Sequence, residues 1–450
     1  MHVLLISSYE LGHQPLHVAT PAALLRARGH DVRCIDLAVD PWAPELATWA
    51  DHIACSVPMH TATRIARRAI EQARAMNPDV PIAAFGLYAP MLADVTDAAL
   101  AGEVDDRLVD WIEGRGPVGV EISLGRSAGR PGAPAPARDL LPPLTRYATL
   151  EVAGEHRTAG YVEASHGCVH RCRHCPVPVV YDGRLRIVEV DAVLADAAQQ
   201  VEAGARHLTF GDPDFLNGAH HSMRVVRALH GAFPDVTFDC TAKVEHIVAH
   251  EDLWPELADA GCLFVVSAFE SVDDTTLALL AKGHTAADAA KAVGVVRQHG
   301  IAVRPSWMPF VPWTREEHVH ALLDFVVEHG LVPNVDPVQY TIRLLLPNGS
   351  LLLGEPAVVA CVDGEDPELG TVTWRATDPE MDALQRRLAA LVERRTAAGD
   401  SIPAIFDAVR IEAGLRPTGI DPTTVTDVPR LSEPWFCCAE PTTSQLDLLA

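Results

Sequence analysis

The chain has 450 residues, which is too many for one ordinary hydrophobic core, so its length predicts two or three domains. Its net charge of −24, from 36 basic and 60 acidic residues, argues against nucleic acid as a partner. No apolar run approaches the length of a membrane span and no signal peptide opens the chain, so we expect a cytoplasmic protein with no membrane partner.

The N-terminal region alternates short apolar runs with helical patterns. The apolar runs cover 2–7, 31–37, 51–57 and 81–86, and the helical patterns cover about 18–28 and 61–76. This alternation is typical of a parallel sheet wrapped by helices, so residues 1–124 are predicted to form a Rossmann-like open-sheet domain. Its ligand side is expected at the strand carboxyl ends, although those loops could instead only pack on the next domain. The loops are 7–13, 56–60 and 86–90.

A second domain follows a segment that is rich in proline, glycine and alanine. Residues 125–157 are predicted to be a linker, and residues 158–350 resume the alternation of strands and helices with a longer period. The predicted strands lie at 160–165, 207–212, 236–241, 263–268, 301–307 and 338–344. Successive strand–helix units with right-handed crossovers predict a partial (β/α)6 barrel of the TIM type, with its chemistry at the strand carboxyl ends.

The last hundred residues, 351–450, predict a mostly helical C-terminal extension. Two helical patterns cover 381–397 and 402–413, and the irregular segment LSEPWFCCAEP follows at 431–441. This region is too short for an independent enzyme domain, so we expect a lid or extension over the barrel. The whole chain is therefore assigned to the α/β class.

Three cysteines in the stretch CVHRCRHC follow the first predicted barrel strand. Their spacing, C-x3-C-x2-C, places three thiolates in one loop at the end of the barrel where chemistry is expected. Three thiolates can hold three irons of a four-iron cluster and leave the fourth iron open to another ligand. The candidate metal ligands are Cys168, Cys172 and Cys175.

A structural zinc site is the alternative for these cysteines, with a nearby histidine as its fourth ligand. The histidines in reach are His166, His170 and His174. Small zinc folds normally pair one C-x2-C with a second pair nearby, whereas the next cysteine here is Cys240. The ten cysteines of the chain are too sparse for a disulfide framework, which favours a reducing compartment.

The C-x3-C-x2-C motif after the first strand of a partial barrel resembles the radical S-adenosylmethionine (SAM) superfamily. The resemblance implies a 4Fe-4S cluster on the three cysteines, with the amino and carboxylate groups of SAM as its fourth ligand. It further implies a small-molecule substrate and an electron donor such as ferredoxin or flavodoxin. The residue before the third cysteine is usually aromatic and lies by the adenine; in this chain it is His174.

The ends of the other barrel strands carry the groups that SAM would need. A cationic amine needs carboxylates, a carboxylate needs a guanidinium, and a ribose needs small polar groups. Strand two ends in GDPD, where the superfamily usually has a glycine-rich acidic turn, and strand four ends in SAFES, which resembles the ES pair of the cobalamin-associated branch. The predicted cofactor-binding residues are His174, Gly211, Asp212, Glu270, Ser271, Arg304 and Ser306.

The domain order resembles the cobalamin-binding class of this superfamily. The motif D-x-H-x-x-G, which places a histidine beneath cobalt, is absent, because His13 lies in YELGHQP. Members without the motif bind the cofactor without a lower ligand or do not bind it. The resemblance therefore leaves cobalamin open as a third cofactor, on fold analogy alone.

The tail sequence FCCAEP resembles a group of radical SAM proteins with a CUAEP or CCAEP tail. Some members of that group carry selenocysteine where this chain has Cys438. Adjacent thiols can hold a soft atom, form a vicinal disulfide or act as nucleophiles, or they could simply fill a groove. We predict that Cys437 and Cys438 are catalytic and engage the substrate, which could be a soft or metalloid acceptor, or take part in redox chemistry.

The resulting hypothesis is an enzyme that cleaves SAM reductively and modifies an unknown substrate. Two alternatives change the reaction: transfer of the 3-amino-3-carboxypropyl group of SAM to trivalent arsenic, as in a related cysteine-tailed group, or cobalamin-dependent methyl transfer. A non-enzymatic alternative is a redox-sensing iron–sulfur protein. Arg343, at the end of the sixth predicted strand, could meet an anionic substrate or only pair with Asp336.

Overall fold

The computed structural model describes residues 1–116, 118–125, 132–366, 370–421 and 428–433. These residues form an N-terminal open sheet, a partial barrel and a C-terminal extension. Within the described ranges, every helix is either too short or too polar to cross a membrane.

The N-terminal sheet has six parallel strands, flanked by four helices. The strands are β1 (His2–Ser7), β2 (Asp31–Asp36), β3 (His52–Ser56), β4 (Ile82–Phe85), β5 (Ala98–Gly102) and β6 (Gly119–Ser123), and the helices are α1 (Leu16–Ala27), α2 (Pro44–Trp49), α3 (His60–Met76) and α4 (Asp105–Ile112). The strand order is β2-β1-β3-β4-β5-β6, so the order reverses at β1 and leaves a crevice at the carboxyl ends of β1 and β3. The sequence pattern missed β5 because its residues, AALAG, have low strand propensity.

The barrel sheet has five parallel strands and two antiparallel ones at its edge. The parallel strands are β8 (Glu155–Val162), β11 (His207–Phe210), β12 (Thr237–Thr241), β13 (Cys262–Glu270) and β14 (Ala302–Trp307); the antiparallel ones are β7 (Thr149–Val152) and β17 (Arg430–Leu431). A short pair, β9 (Ser165–Gly167) and β10 (Leu185–Ile187), brackets the cysteine loop. The parallel strands curl into the expected partial barrel. β7 and the start of β8 fall within the range that the sequence analysis assigned to the linker.

Helices alternate with the barrel strands. They are α5 (Val177–Tyr181), α6 (Val190–Glu202), α7 (Ala219–Ala232), α8 (Val244–Ala249), α9 (Trp254–Asp259), α10 (Asp274–Leu279), α11 (Ala286–Arg297) and α12 (Glu316–Glu328). The apolar stripe that predicted a helix near 190–201 corresponds to α6, whose Val193 and Ala197 are buried against the sheet.

The sixth predicted strand is replaced by a short helical turn. Pro337–Thr341 forms a 3-10 helix, and the residues after it make an isolated parallel bridge, between Arg343 and Phe310, that lies outside the named strands. Pro337 has no backbone N–H that could bond to a neighbouring strand. In addition, the Trp307 N–H donates to the side-chain oxygen of Gln339 at 3.0 Å, so it does not bond to a backbone carbonyl of a sixth strand. A short 3-10 helix therefore takes the place of the sixth barrel strand.

The C-terminal extension contains the two predicted helices, α14 (Pro379–Ala397) and α15 (Ile402–Glu412), after α13 (Pro356–Val359) and a hairpin of β15 (Val362–Asp366) and β16 (Thr371–Trp374). Leu388 and Phe406 are fully buried in the same hydrophobic core as the barrel helices. Arg343 pairs with Asp382 and lies 3.5 Å over the Trp374 ring, whereas Asp336, one of the two partners left open for it, pairs with Arg304. The extension is thus packed into the barrel.

The two domains are joined through a buried arginine in the predicted linker. Arg138 makes a bidentate ion pair with Asp196, at 2.9 and 2.8 Å, and donates to the Gln14 carbonyl oxygen at 2.8 Å and the Tyr161 carbonyl oxygen at 2.7 Å. These partners belong to α6, the β1–α1 loop and β8. Because the guanidinium satisfies all three at once, it fixes the N-terminal sheet against the barrel.

Candidate functional site

The three motif cysteines lie in the loop between β9 and α5, and none of the three forms a disulfide bond. Cys168 and Cys172 are buried and Cys175 is half-buried. Gly167 begins the loop with a φ of +75°, and a Cβ there would come within 2.3 Å of the Arg184 carbonyl oxygen, so this turn requires glycine. The side-chain amide of Asn217 donates to the Cys168 sulfur at 3.3 Å. The loop thus offers three sulfur atoms as metal ligands, and the uncharged amide of Asn217 donates a hydrogen bond to one of them.

The histidines of the cysteine stretch all face other partners. The Nε2 atom of His174 lies 3.1 Å from Glu270 Oε1, and the two ring nitrogens of His166 each lie 3.0 Å from a carboxylate. His170 faces His246, with an Nε2–Nε2 distance of 3.2 Å. These contacts do not favour the zinc alternative, in which one of the three would share a metal with the cysteines.

Glu270, at the end of β13, is the centre of a buried charged triad with His174 and Lys282. Its Oε1 atom lies 3.2 Å from Lys282 Nζ, and both of these side chains are at most 5% exposed. Although burial favours the neutral acid, Lys282 and His174 lower the pKa of Glu270 to about 2. Glu270 also has a φ of +62°, which is strained for a non-glycine residue. The fold therefore holds a fixed carboxylate at this strand end.

Lys282 connects this triad to the cysteine loop. Although burial opposes its charge, Glu270 and the thiolates of Cys172 and Cys175 raise the pKa of Lys282. A buried ammonium beside thiolates offsets the negative charge that an anionic cluster ligand set brings. Lys282, in the stretch KGHT, was not among the site residues predicted from the sequence.

The predicted amine-binding turn after β11 is already engaged within the protein. Asp212 accepts bonds from Ser165 Oγ at 2.5 Å and from the Ala164 N–H at 2.9 Å, and burial raises its pKa to about 7. A Cβ on Gly211 would lie 1.8 Å from the Tyr161 hydroxyl oxygen. The geometry assigns Gly211 to close packing and Asp212 to the alignment of the chain that leads into the cysteine loop.

Arg304 and Ser306 lie within β14, and Ser271 directly follows β13. Arg304 Nη2 pairs with Asp336 Oδ2 at 2.6 Å, while its buried Nη1 has no hydrogen-bond partner among the described residues. Ser271 and Ser306 are half-buried, and the Ser271 hydroxyl accepts the Asp273 N–H at 3.1 Å. The Arg304 guanidinium therefore retains a donor for a carboxylate.

A cavity of about 760 Å³ lies between the N-terminal sheet and the barrel. Its wall includes Glu10, Leu11, Met59, Gly86, Glu163 and Gly167. Each of the three predicted ligand loops, 7–13, 56–60 and 86–90, contributes residues to this wall. Because Gly167 directly precedes Cys168, the cavity reaches the start of the cysteine loop.

Alternating carboxylates and imidazoles cross this cavity from one domain to the other. We call this group the acid–imidazole chain; its members in spatial order are Glu10, His17, Glu163, His166 and Glu103. Consecutive members are 3.0 to 3.6 Å apart. Tyr161 and Tyr181 donate to Glu163 and Glu103 at 2.7 and 3.1 Å. The chain places one barrel carboxylate between two imidazoles.

Within the acid–imidazole chain, each charged group stabilises the charged form of its neighbours. Although burial opposes the charge, Glu10 and Glu163 raise the pKa of His17 to about 9. Burial likewise opposes charge at Glu163, but His17 and His166 lower its pKa to about 2. Both imidazoles are therefore cationic, and Glu163 anionic, at neutral pH. This group could not be recognised in the sequence, because its members are far apart along the polypeptide.

Comparison with known proteins places the cysteine loop in a family. Residues 162–326 match the model of the radical SAM superfamily. The chain contains a radical SAM domain. The match begins at the end of β8 and includes the cysteine loop, the Glu270 triad and Arg304, as the sequence resemblance predicted.

Relatives extend the likeness beyond the radical SAM domain. Hopanoid C-3 methylase of Methylococcus capsulatus is 23% identical over 330 residues, 67% of this chain and 62% of that protein, so the chain spans less than two thirds of that relative. The cobalamin-dependent SAM radical enzyme OxsB, with aqua-cobalamin bound, has a TM-score of 0.69 at 15% identity, covering 88% of this chain and 67% of OxsB. The methyltransferase TsrM of Kitasatospora setae has a TM-score of 0.66 at 16% identity, covering 87% and 89%. At these identities the solved structures show a shared fold, which includes the open-sheet domain.

A radical SAM domain implies a 4Fe-4S cluster and SAM, and the residues present fit both. Three thiols on one loop, none of them in a disulfide bond, form the donor set of a cluster with one open iron. The unpartnered Arg304 Nη1 suits a carboxylate, and the buried, unpartnered Nδ1 of His174 can bond an adenine nitrogen.

The predicted catalytic residues Cys437 and Cys438 lie outside the described residues. Glu433, at the end of the last described stretch, accepts a hydrogen bond from the Tyr9 hydroxyl at 2.7 Å. Tyr9 immediately precedes the cavity residues Glu10 and Leu11. The described chain before the tail is therefore fixed beside the loop that forms one wall of the cavity.

Proposed function

We propose that this chain is a radical SAM enzyme that cleaves SAM reductively and modifies a small-molecule substrate held between the barrel and the N-terminal sheet. The observation that carries the proposal is the continuity of the cavity with the cysteine loop at Gly167. An electron donor such as ferredoxin or flavodoxin would reduce the cluster. We expect this chemistry to take place in the cytoplasm, where such donors and free thiols persist.

A cluster held by Cys168, Cys172 and Cys175 would supply the electron for reductive cleavage of a carbon–sulfur bond of SAM. The protein residues supply charge and position. Lys282 and Glu270 keep fixed opposite charges beside the thiol loop, and Arg304 offers Nη1 to the SAM carboxylate. Asp212 holds Ser165 and Ala164, so the strand that enters the loop cannot shift. Burial of these groups preserves their orientation without rearrangement of water.

Cobalamin-dependent methyl transfer is the candidate reaction that the cavity favours. OxsB and TsrM have this fold, and each has been solved with cobalamin bound. The hopanoid relative is a methylase. Glu10 Oε1, a buried cavity atom, has no hydrogen-bond partner among the described residues and could accept a corrin amide. His13 is an unsuitable lower ligand because it is buried against Tyr161, with ring centroids 4.8 Å apart. We therefore expect cobalamin to bind without a histidine ligand.

The tail cysteines are proposed to engage the substrate. Support comes from the tail resemblance and from the position of Glu433 on the loop at the cavity. A Cys438→Ser variant should still cleave SAM but should form no final product. A variant that retained full product formation would instead favour a packing role for these cysteines.

Product analysis tests the reaction. The cluster is reconstituted anaerobically, dithionite and SAM are added with and without cobalamin, and the SAM-derived products are identified by mass spectrometry. 5′-Deoxyadenosine supports reductive cleavage, S-adenosylhomocysteine supports methyl transfer, and methylthioadenosine would indicate aminocarboxypropyl transfer instead. A Cys172→Ala variant is the control that should consume no SAM. Persistence of SAM with an intact cluster would contradict the enzyme proposal and favour a redox sensor.

Cobalamin binding can be tested separately from catalysis. Hydroxocobalamin is added to the reconstituted protein, excess cofactor is removed by gel filtration, and the visible spectrum is recorded. We expect one equivalent to remain bound, with Glu10→Gln weakening retention. A spectrum without cobalamin absorption would contradict the proposal of cobalamin-dependent methyl transfer. It would not affect the proposal of reductive SAM cleavage.

A further inference from the structure

A second group of metal-binding side chains lies beside the cysteine loop and takes no part in the proposed cluster site. Its members are His170, from the loop itself, Asp214, after β11, and His246, in α8. One ligand atom from each lies within 4.8 Å of the other two. Asp214 is fully buried, and both imidazoles are half-buried. The group therefore combines ligands from three separate chain segments at the carboxyl end of the barrel.

The two imidazole rings face each other through their Nε2 atoms. The distance between His170 Nε2 and His246 Nε2 is 3.2 Å. Two histidine nitrogens bound to one tetrahedral zinc ion at 2.0–2.1 Å are separated by about 3.3–3.4 Å, a value that follows from the bond length and the tetrahedral angle. A hydrogen bond between neutral rings also gives such a distance, so a second feature has to distinguish the two.

A buried carboxylate beside both rings supplies that feature. Asp214 Oδ2 lies 2.7 Å from His246 Nδ1 and 3.9 Å from His170 Nε2. Although these atoms are close, Asp214 Oδ2 and His246 Nδ1 are both buried and have no hydrogen-bond partner among the described residues. A buried polar atom without a hydrogen bond is costly unless an ion or water satisfies it, so an imidazole pair alone leaves this carboxylate oxygen unexplained. On the other side of the His170 ring, Nδ1 lies 3.7 Å from Glu245 Oε2.

The carboxylate behind His170 is itself held in place. Lys243 Nζ lies 3.3 Å from Glu245 Oε2. Gly283 has a φ of +76°, and a Cβ there would lie 2.5 Å from the same oxygen atom. The turn that follows Lys282 therefore leaves room for the Glu245 carboxylate. This packing argues that Glu245 has a defined position behind His170.

We propose that His170, Asp214 and His246 bind a divalent first-row transition ion of the zinc class beside the cluster loop, with Glu245 behind the His170 ring. Imidazole ligands suit Zn²⁺, Co²⁺ and Fe²⁺. With three protein ligands, the ion keeps an open position for water or for an oxygen or nitrogen group of a substrate, which it would orient and polarise. This inference does not depend on which SAM bond is broken or on cobalamin.

The test measures zinc in the full-length protein after its 4Fe-4S cluster has been reconstituted, so that the three motif cysteines are occupied. The protein is equilibrated anaerobically with Zn²⁺, desalted and analysed for iron and zinc by mass spectrometry. We expect one zinc per chain in addition to the cluster iron. His246→Gln should lose the zinc at unchanged iron content, and Asp214→Asn should weaken zinc affinity by about 10- to 100-fold.

Two controls exclude other zinc sites. His250→Gln should retain zinc, because its ring only packs on His246 with centroids 5.7 Å apart. The Cys437→Ser/Cys438→Ser variant should also retain zinc, which separates this site from the tail thiols. In Co²⁺-loaded protein, the His246→Gln difference spectrum should contain d–d bands. Equal zinc content in the parent protein and His246→Gln, or absence of zinc from both, would overturn the proposal and leave a hydrogen-bonded imidazole pair.

Discussion

Glu270 and Lys282 form an ion pair in the barrel interior, with an Oε1–Nζ distance of 3.2 Å and side chains that are only 5% and 3% exposed. Removal of one buried partner leaves the other charge uncompensated, which typically costs about 3–5 kcal/mol. We expect Lys282→Met to lower the free energy of unfolding by about that amount and the double variant Lys282→Met/Glu270→Gln to recover much of the loss. Urea unfolding measures both.

A surface pair provides the matched control for this prediction. Arg227 and Glu256 also form a salt bridge, but their side chains are 56% and 41% exposed. Exposed pairs contribute about 0–1 kcal/mol, so Arg227→Met should change stability by less than that. Equal losses for Lys282→Met and Arg227→Met would contradict the role assigned to the buried pair.

His17 should make the stability of the interdomain contact depend on pH. Its pKa is raised from 6.5 to about 9 by Glu10 and Glu163 against the effect of burial, so its contribution is fully present below pH 6.5 and is lost as the pH rises through 9. We expect the parent protein to have a higher Tm than His17→Gln at pH 6.5, and the difference to shrink toward pH 10. Thermal unfolding from pH 6 to 10 tests this. A difference that grew with pH would show that the imidazolium is not the stabilising form.

Much of the fold could be predicted because its signals are local. Parallel strands and amphipathic helices appear as short periodic runs, so β1 to β4 and the helices α1, α3, α14 and α15 were found from the pattern. The sixth barrel strand was mispredicted because DPVQYTIRL has strand propensity, whereas Pro337 and the Gln339 side chain decide its conformation. The strand propensity of this segment was outweighed by the missing N–H of Pro337 and by the hydrogen bond between Gln339 and Trp307.

Part of the candidate site could be predicted from motifs. The cysteine loop follows the short strand β9, and Glu270 is the last residue of β13, whereas Arg304 lies within β14. Lys282 and the acid–imidazole chain could not be predicted, because charged residues in a sequence read as surface groups until partners distant in the chain are brought together. Asp212 was predicted to bind the SAM amine, and the sequence did not indicate that its carboxylate also bonds Ser165 and Ala164.

Gly211 should be intolerant of a larger side chain. A Cβ there would lie 1.8 Å from the Tyr161 hydroxyl oxygen, which donates to Glu163 at 2.7 Å. We expect Gly211→Ala to lower the free energy of unfolding by about 1–3 kcal/mol through this overpacking. Gly231→Ala, in α7, is the control, since nothing lies within 4 Å of its Cβ position and helix propensity favours alanine. Similar values for the two variants would contradict the close contact at Gly211.

Asn217 should tune the reduction potential of the cluster. Its amide donates to the Cys168 sulfur at 3.3 Å, and hydrogen bonds to ligand sulfurs stabilise the more negative, reduced cluster. A bond of about 1 kcal/mol corresponds to roughly 40 mV for one electron. Asn217→Leu should therefore lower the midpoint potential by about that amount at unchanged iron content. A redox titration followed by electron paramagnetic resonance measures it, and an unchanged or higher potential would exclude the hydrogen bond.

Asp212 should destabilise the fold when it ionises. Burial raises its pKa from 3.8 to about 7, so between these pH values the folded state holds a proton that the unfolded state releases. The free energy of unfolding therefore falls as the pH rises from about 4 to 7. Asp212→Asn removes this ionisation, while its amide can still accept from the Ala164 N–H and donate to the Ser165 oxygen. We expect the variant to gain stability relative to the parent protein as the pH rises from 5 to 8, measured by urea unfolding at each pH. If the gap between the two proteins stayed constant over this range, Asp212 would have to be ionised throughout, and its hydrogen bonds to Ser165 and Ala164 would then support a carboxylate.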